Sequence, residues 1–293
     1  MSRNNMDRLG SDDDSTPTGG ADAPAMAVEA PTGGSQPLSF SIPTDHIELP
    51  SRGVYYPENH PLHGQDTIEI KYMTAKEEDI LTSPSLLKKG LTIERLLRSI
   101  ILDKTIDPQH LLVGDRNAII VGARVTGYGS EYKANITCPA CTTINQLDVE
   151  LSELKVHAGG EEAKEGYVVK HLEGSEYIIT LPKSGFSVTV RLLTGRDEKI
   201  ISDYVQKRKK HKLEESTLTT QLKTLIVAVN GDRRTNVIEE FVDFIPAFDS
   251  RYIRNAYAKV NPNLNMEYPF VCIECDHDTA VEVPLSAEFF WPK

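Results

Sequence analysis

The chain of 293 residues reads as an α+β protein made by tandem duplication of one strand–helices–zinc-knuckle unit. Three observations predict this. Five sequence blocks recur in the same order in the two halves. In each half a short β-type run passes directly into a capped helical pattern. Each half then closes on a Cys-x-x-Cys pair, Cys138/Cys141 and Cys272/Cys275, and the two pairs lie 134 residues apart. Drifting offsets between the earlier blocks are what insertions between shared elements produce.

Taken in order, residues 1–44 (SDDDSTPTGG, APTGGSQP) are rich in Ser, Asp, Pro, Gly and Ala. They hold too few large apolar side chains to offset chain entropy, and are expected to form a disordered acidic arm. Such an arm is either a tether for assembly or a solvated tail.

The first unit, 45–154, opens on Ile47-Glu48-Leu49-Pro50-Ser51-Arg52-Gly53. This aligns with Ile179-Thr180-Leu181-Pro182-Lys183-Ser184-Gly185 at an offset of 132. IEIKYMTAKEEDIL (68–81) then parallels VTVRLLTGRDEKII (188–201) at an offset of 120, a strand running into a helix. Thr74 with Glu77, and Thr194 with Asp197, fit an N-cap followed by an acid at the third helical position. The change of offset places 12 extra residues in the first-unit loop YYPENHPLHGQD.

A second helix is expected through Leu97–Leu102 and again through Leu222–Val227, at an offset of 125. A third should start after an Asp cap, at 115–124 and 249–259, with Ile119, Ala123 and Thr126 opposite Ile253, Tyr257 and Val260. Each unit ends as strand, knuckle, strand: KANITCPACTTINQLDVEL and EYPFVCIECDHDTAVEVPL. Residues 155–178 form a connecting β segment, read as a hairpin into the second unit, 179–293.

Composition narrows the function. Hydrophobic residues make up 39% and charged residues 26%, as in soluble globular chains. No apolar run approaches the roughly 20 residues of a membrane span. The first residues lack the basic start and apolar stretch of a secretory signal. A net charge of −11 argues against the whole surface gripping a phosphate backbone.

Four cysteines in two pairs, with no export signal, favour a reduced compartment and a metal over disulfides. Two residues between cysteines let both sulfurs reach one ion, and the repeat gives the distant pairs a reason to converge. The expected site is one structural zinc held by Cys138, Cys141, Cys272 and Cys275. Two buried thiol pairs or a redox role are the other readings. The redox one is weakened because neither pair opens a helix after a strand. His277 could replace one sulfur, and His60 with His63 has metal-like spacing but no nearby third ligand.

Lys207-Arg208-Lys209-Lys210-His211-Lys212 is the strongest basic feature of this acidic chain. It reads as a docking patch or as a solvated helix end. The terminal Phe289-Phe290-Trp291 either folds onto the second unit or anchors in a neighbouring subunit. No phosphate loop, nucleophile elbow or H-E-x-x-H is present, and an all-sulfur zinc leaves no open position for water, so no enzyme activity is expected.

LPSRGVYYP (49–57) followed by IEIKYMTAKEEDILTSPSLLKKGLTIERLLRSII (68–101) resembles the baseplate proteins of T-even-like contractile-tailed bacteriophages. The resemblance implies a structural or assembly role at the baseplate hub, with other tail and baseplate proteins as partners. It also implies assembly in the infected host cytoplasm, followed either by a place in the tail baseplate of the virion or by a role in assembly alone. No catalytic residue carries over from it. The competing class is a zinc-ribbon nucleic-acid-binding or transcription-related regulator.

Overall fold

A computed structural model describes residues 41–160, 167, 169–211, 216–283, 285 and 287–290. All but the last few residues of the expected arm therefore lie outside the described residues. Alternating residues draw Thr44–Glu48 (β1) and Thr67–Lys71 (β2) into an antiparallel ribbon with Ile47 opposite Ile68 and Thr44 opposite Lys71. Between the strands Gly53 turns with φ near 68°, where a Cβ would lie 2.3 Å from the Leu62 carbonyl oxygen. Only glycine fits there.

β2 runs into Ala75–Thr82 (α1), whose capping box joins Thr74 and Glu77. Pro84–Lys89 (α2) stops at Gly90 in the left-handed conformation. Thr92–Ile100 (α3) turns Leu96, Leu97 and Ile100 into the core. Val113–Tyr128 (α4) leads to the hairpin of Glu131–Thr137 (β3) and Ile144–Glu150 (β4). A 3-10 turn, Leu151–Glu153, precedes Val156–His157 (β5).

In the second half Val169–His171 (β6), Glu176–Thr180 (β7), Ser187–Arg191 (β8) and Ile226–Val229 (β9) form one antiparallel sheet in that order. Gly195–Lys210 (α5) and Thr217–Leu225 (α6) lie between β8 and β9. Thr235–Phe244 (α7) and Ala247–Val260 (α8) follow, then Asn263–Leu264 (β10), which pairs with β5. Glu267–Val271 (β11) and Asp278–Glu282 (β12) make the last hairpin, and Ala287–Phe290 forms a 3-10 turn. Among the described residues this is a mixed fold of eight α-helices and five small antiparallel sheets.

Three expectations change. The second helices both stop short. α3 ends at Ile100 rather than Leu102, with Ile101 bridging Ile70 of β2. The second-half helix ends at Leu225 rather than Val227, because Ile226-Val-Ala-Val pairs with β8 as a strand that suits its β-branched residues. α7 was not anticipated and fills the longer second-half connection.

The third helices start at Val113 and Ala247, two residues before Asp115 and Asp249. Neither Asp is a cap. Asp115, fully buried, accepts the Ser51 N–H (2.9 Å), the Ser51 hydroxyl (2.6 Å) and the Tyr56 hydroxyl (2.7 Å). Asp249, equally buried, accepts the N–H groups of Lys183 (3.1 Å) and Ser184 (2.8 Å). Both carboxylates tie the Leu-Pro-x-x-Gly turn to the helix that delivers the next cysteine hairpin.

One hydrophobic core runs through both halves, with Leu96, Ile100 and Ile119 in the same cluster as Tyr177, Val190 and Ile253. The halves also meet along backbone: Val113 N–H donates to the Leu193 carbonyl at 3.0 Å and Gly195 N–H to that of Leu111 at 2.9 Å. α4 lies so close to the start of β10 that a Cβ on Gly114 would sit 1.9 Å from the Pro262 carbonyl oxygen.

Candidate metal centre

Each Cys-x-x-Cys loop is built by the same two backbone bonds. Cys138 N–H donates to the Thr143 carbonyl and Thr142 N–H to that of Cys138. Cys272 N–H donates to the His277 carbonyl and Asp276 N–H to that of Cys272. Thr142 and Asp276 both adopt positive φ, 61° and 52°, which turns each chain sharply enough to set its two sulfurs side by side.

The tips of the β3–β4 and β11–β12 hairpins meet. The four Sγ atoms lie within 4.8 Å of one another, with Cys138 to Cys275 at 3.7 Å and Cys141 to Cys272 at 3.5 Å. The first cysteine of each loop faces the second of the other. These separations exclude disulfides, whose S–S length is about 2.0 Å. They match the roughly 3.8 Å edge of a sulfur tetrahedron at a Zn–S distance of about 2.3 Å. Cys138 and Cys272 are buried, while Cys275 faces solvent.

The thiols do not share one acidity. N–H groups of Glu274 and Cys275 stabilise the Cys272 thiolate and bring its pKa down to about 6. For Cys275 the His277 N–H acts in the same direction, but the adjacent Cys141, Cys272 and Cys138 sulfurs outweigh it, and the pKa is pushed up to about 12. Four sulfurs this close cannot all ionise unless a cation compensates the charge.

Asn145, not singled out from sequence, is buried between the loops. Its Oδ1 accepts the Ile273 N–H at 2.9 Å, and its Nδ2 donates to the Thr143 carbonyl at 3.0 Å and toward Cys272 Sγ at 3.6 Å. One side chain thus fixes one knuckle and reaches the other. The second-half counterpart at the same offset is Thr279, so the repeat gives no hint of Asn145.

The four cysteines form the one set of this kind among the described residues, and His277 is outside it. His60 stacks on Tyr56 at 4.4 Å, and His63 Nδ1 lies 2.7 Å from the Tyr56 carbonyl oxygen, so both shape their loop. Lys207, Lys209 and Lys210 are exposed on the last turns of α5. Arg208 lies over the Tyr204 ring at 5.8 Å. Phe289 and Phe290 are fully buried, and Phe289 packs on Tyr132 at 4.8 Å while its carbonyl accepts from Arg124. Phe289 and Phe290 therefore pack on α4 and β3. Lys212 and Trp291 lie outside the described residues.

A family model described as T4 bacteriophage base plate protein matches residues 54–291, which includes both cysteine loops and the shared core. The chain belongs to that family. Membership carries a structural role in a phage baseplate and makes the chain a tail component with other tail proteins as partners. The competing regulatory reading finds no support in it. No curated protein and no solved structure matches significantly. No helix among the described residues is long and apolar enough to cross a membrane.

Proposed function

We propose that the chain is a structural or assembly part of the baseplate hub. It acts by protein–protein contact, without turnover, and holds one structural zinc through Cys138, Cys141, Cys272 and Cys275. The reciprocal approach of sulfurs from two hairpins, at distances a tetrahedral ion requires, carries this reading. An all-sulfur set leaves no position for a reacting water, so the metal would clamp rather than catalyse.

The reading includes a tandem duplication, with units 45–154 and 179–293 joined by 155–178. Ile47 opposite Ile68 and Ile179 opposite Val188 are the same register at the offsets of the two sequence blocks. The Ile70–Ile101 bridge and the Val190–Ile226 pair agree in the same way. The buried Asp115 and Asp249 hold equivalent turns. Exchange of the two units also exchanges Cys138–Cys275 with Cys272–Cys141, as a two-fold relation demands.

Assembly takes place in the infected cell, and the contact elements are the 55–64 loop and the basic end of α5. Phe289 and Phe290 serve the chain's own core. Tagged chain, wild type and Cys141→Ser/Cys272→Ser, recovered from infected cells tests this. Hub proteins should accompany the wild type and be depleted with the variant. Wild type free of tail proteins would end the proposal.

A further inference from the structure

Two surfaces of this molecule are chemical complements that cannot meet within one chain. The first is an apolar pocket of about 290 Å3 at the corner between α7 and α8. Phe186, Phe241 and Phe244 line it, and Phe244 is 81% exposed, with Phe248 nearby at 56%. The Ser184 hydroxyl is buried there with no partner in this structure. Glu240 lines the pocket, exposed and without an ion pair among the described residues; Asp243, on the same helix, is paired with Lys223. Lys183 lies over the Phe248 ring.

The second surface is the outer face of α5. After Asp197 this helix buries no residue completely. Ile200 and Tyr204, 50% and 44% exposed, stand one turn apart on the stripe that continues into Lys207, Arg208 and His211. Lys209 and Lys210 widen its basic end. An apolar ridge ending in positive charge suits an aromatic pocket that carries an unpaired carboxylate, Glu240, in its lining. α6 packs against both α5 and α7, and these two make no comparable contact with each other.

We infer that α5 of one copy docks into the α7–α8 aromatic corner of a second copy of this chain. Because two different patches meet, the association is head-to-tail and closes into a ring or grows as a filament. It rests on the contact-making role proposed above but not on the metal. A chain that carries zinc and recovers tail proteins yet never self-associates would overturn this inference alone.

Sedimentation and light scattering of the whole chain, from about 1 to 100 µM, provide the test. Wild type should self-associate, at least about tenfold more weakly when salt rises from roughly 0.05 to 0.5 M. Phe244→Glu and Lys207→Glu/Lys209→Glu/Lys210→Glu, each checked for native circular dichroism, should be monomeric alone. Mixed, they should form a one-to-one dimer, since each keeps the surface the other lacks. A monomeric wild type, a single variant that still assembles, or a mixture that stays monomeric would overturn the inference. So would a pocket that takes only a basic segment of another tail protein.

Discussion

Replacing Glu77 by Gln removes a buried charge while keeping the shape of the side chain. Glu77 is 0% exposed and receives four hydrogen bonds. Lys71 Nζ (2.7 Å) and the Ser99 hydroxyl (2.6 Å) reach one oxygen; the Thr74 N–H (2.9 Å) and hydroxyl (2.6 Å) reach the other. Burial alone would raise its pKa, but these donors prevail and hold it at about 2 against an ordinary 4.5. At about 1.4 kcal/mol per unit, that difference is worth on the order of 3 kcal/mol of stability at neutral pH. A Gln amide must aim its NH2 at Lys71 or at the Thr74 N–H, and neither can accept, so a donor faces a donor.

The melting temperature should fall by roughly 6–12 °C for a chain of this size. The sign of the pH effect follows from a folded pKa below the unfolded one. Wild type holds this contribution above about pH 4.5 and loses it as pH falls toward 2. The variant never has it, so the gap between the two should close over that window. Thermal and urea unfolding followed by circular dichroism between pH 2 and 7 measures both. A variant within about 0.5 kcal/mol of wild type at pH 7, or a gap unchanged by acid, would refute the reasoning.

The remaining expectations are narrower. Asp197→Asn should weaken the second half in the same manner, because Asp197 takes two bonds from Arg191, both 2.7 Å, and its pKa is likewise lowered; denaturant midpoints report it. Gly114→Ala should cost about 1–3 kcal/mol or more, since its methyl would meet the Pro262 carbonyl, and a neutral midpoint would contradict the close approach of α4 to β10. Asp115→Ala strips partners from Ser51 and Tyr56 and should cost about 1–3 kcal/mol for each donor left unsatisfied, read in the same unfolding assay. Asn145→Ala should release metal to a chelator some 10–100-fold more readily, and unchanged release would remove Asn145 from the clamp.

Much of this was legible in the chain because short-range chemistry dictates it. Thr74 with Glu77 and Thr194 with Asp197 announce their helix starts by spacing alone, and both capping boxes form. The cysteine pairs were readable because two residues of spacing constrain sulfur geometry locally. What sequence did not disclose depends on distant partners. Asp115 and Asp249 look like caps, since Asp before an apolar run is the usual signal. Their carboxylates instead face turns 64 and 66 residues away. Ile226 continues a helical spacing, but an open edge on β8 claims it as strand. Asn145 has no periodic mark, because its partner loop lies more than a hundred residues on.

The central claim is that one ion closes both knuckles. Metal analysis of chain purified under reducing conditions, with thiol titration before and after chelation, tests it most directly. One zinc per chain is expected, with four thiols that stay protected until the metal is removed and then all react together. A folded chain without metal, with two ions, or with one pair reactive while the other stays protected would contradict it.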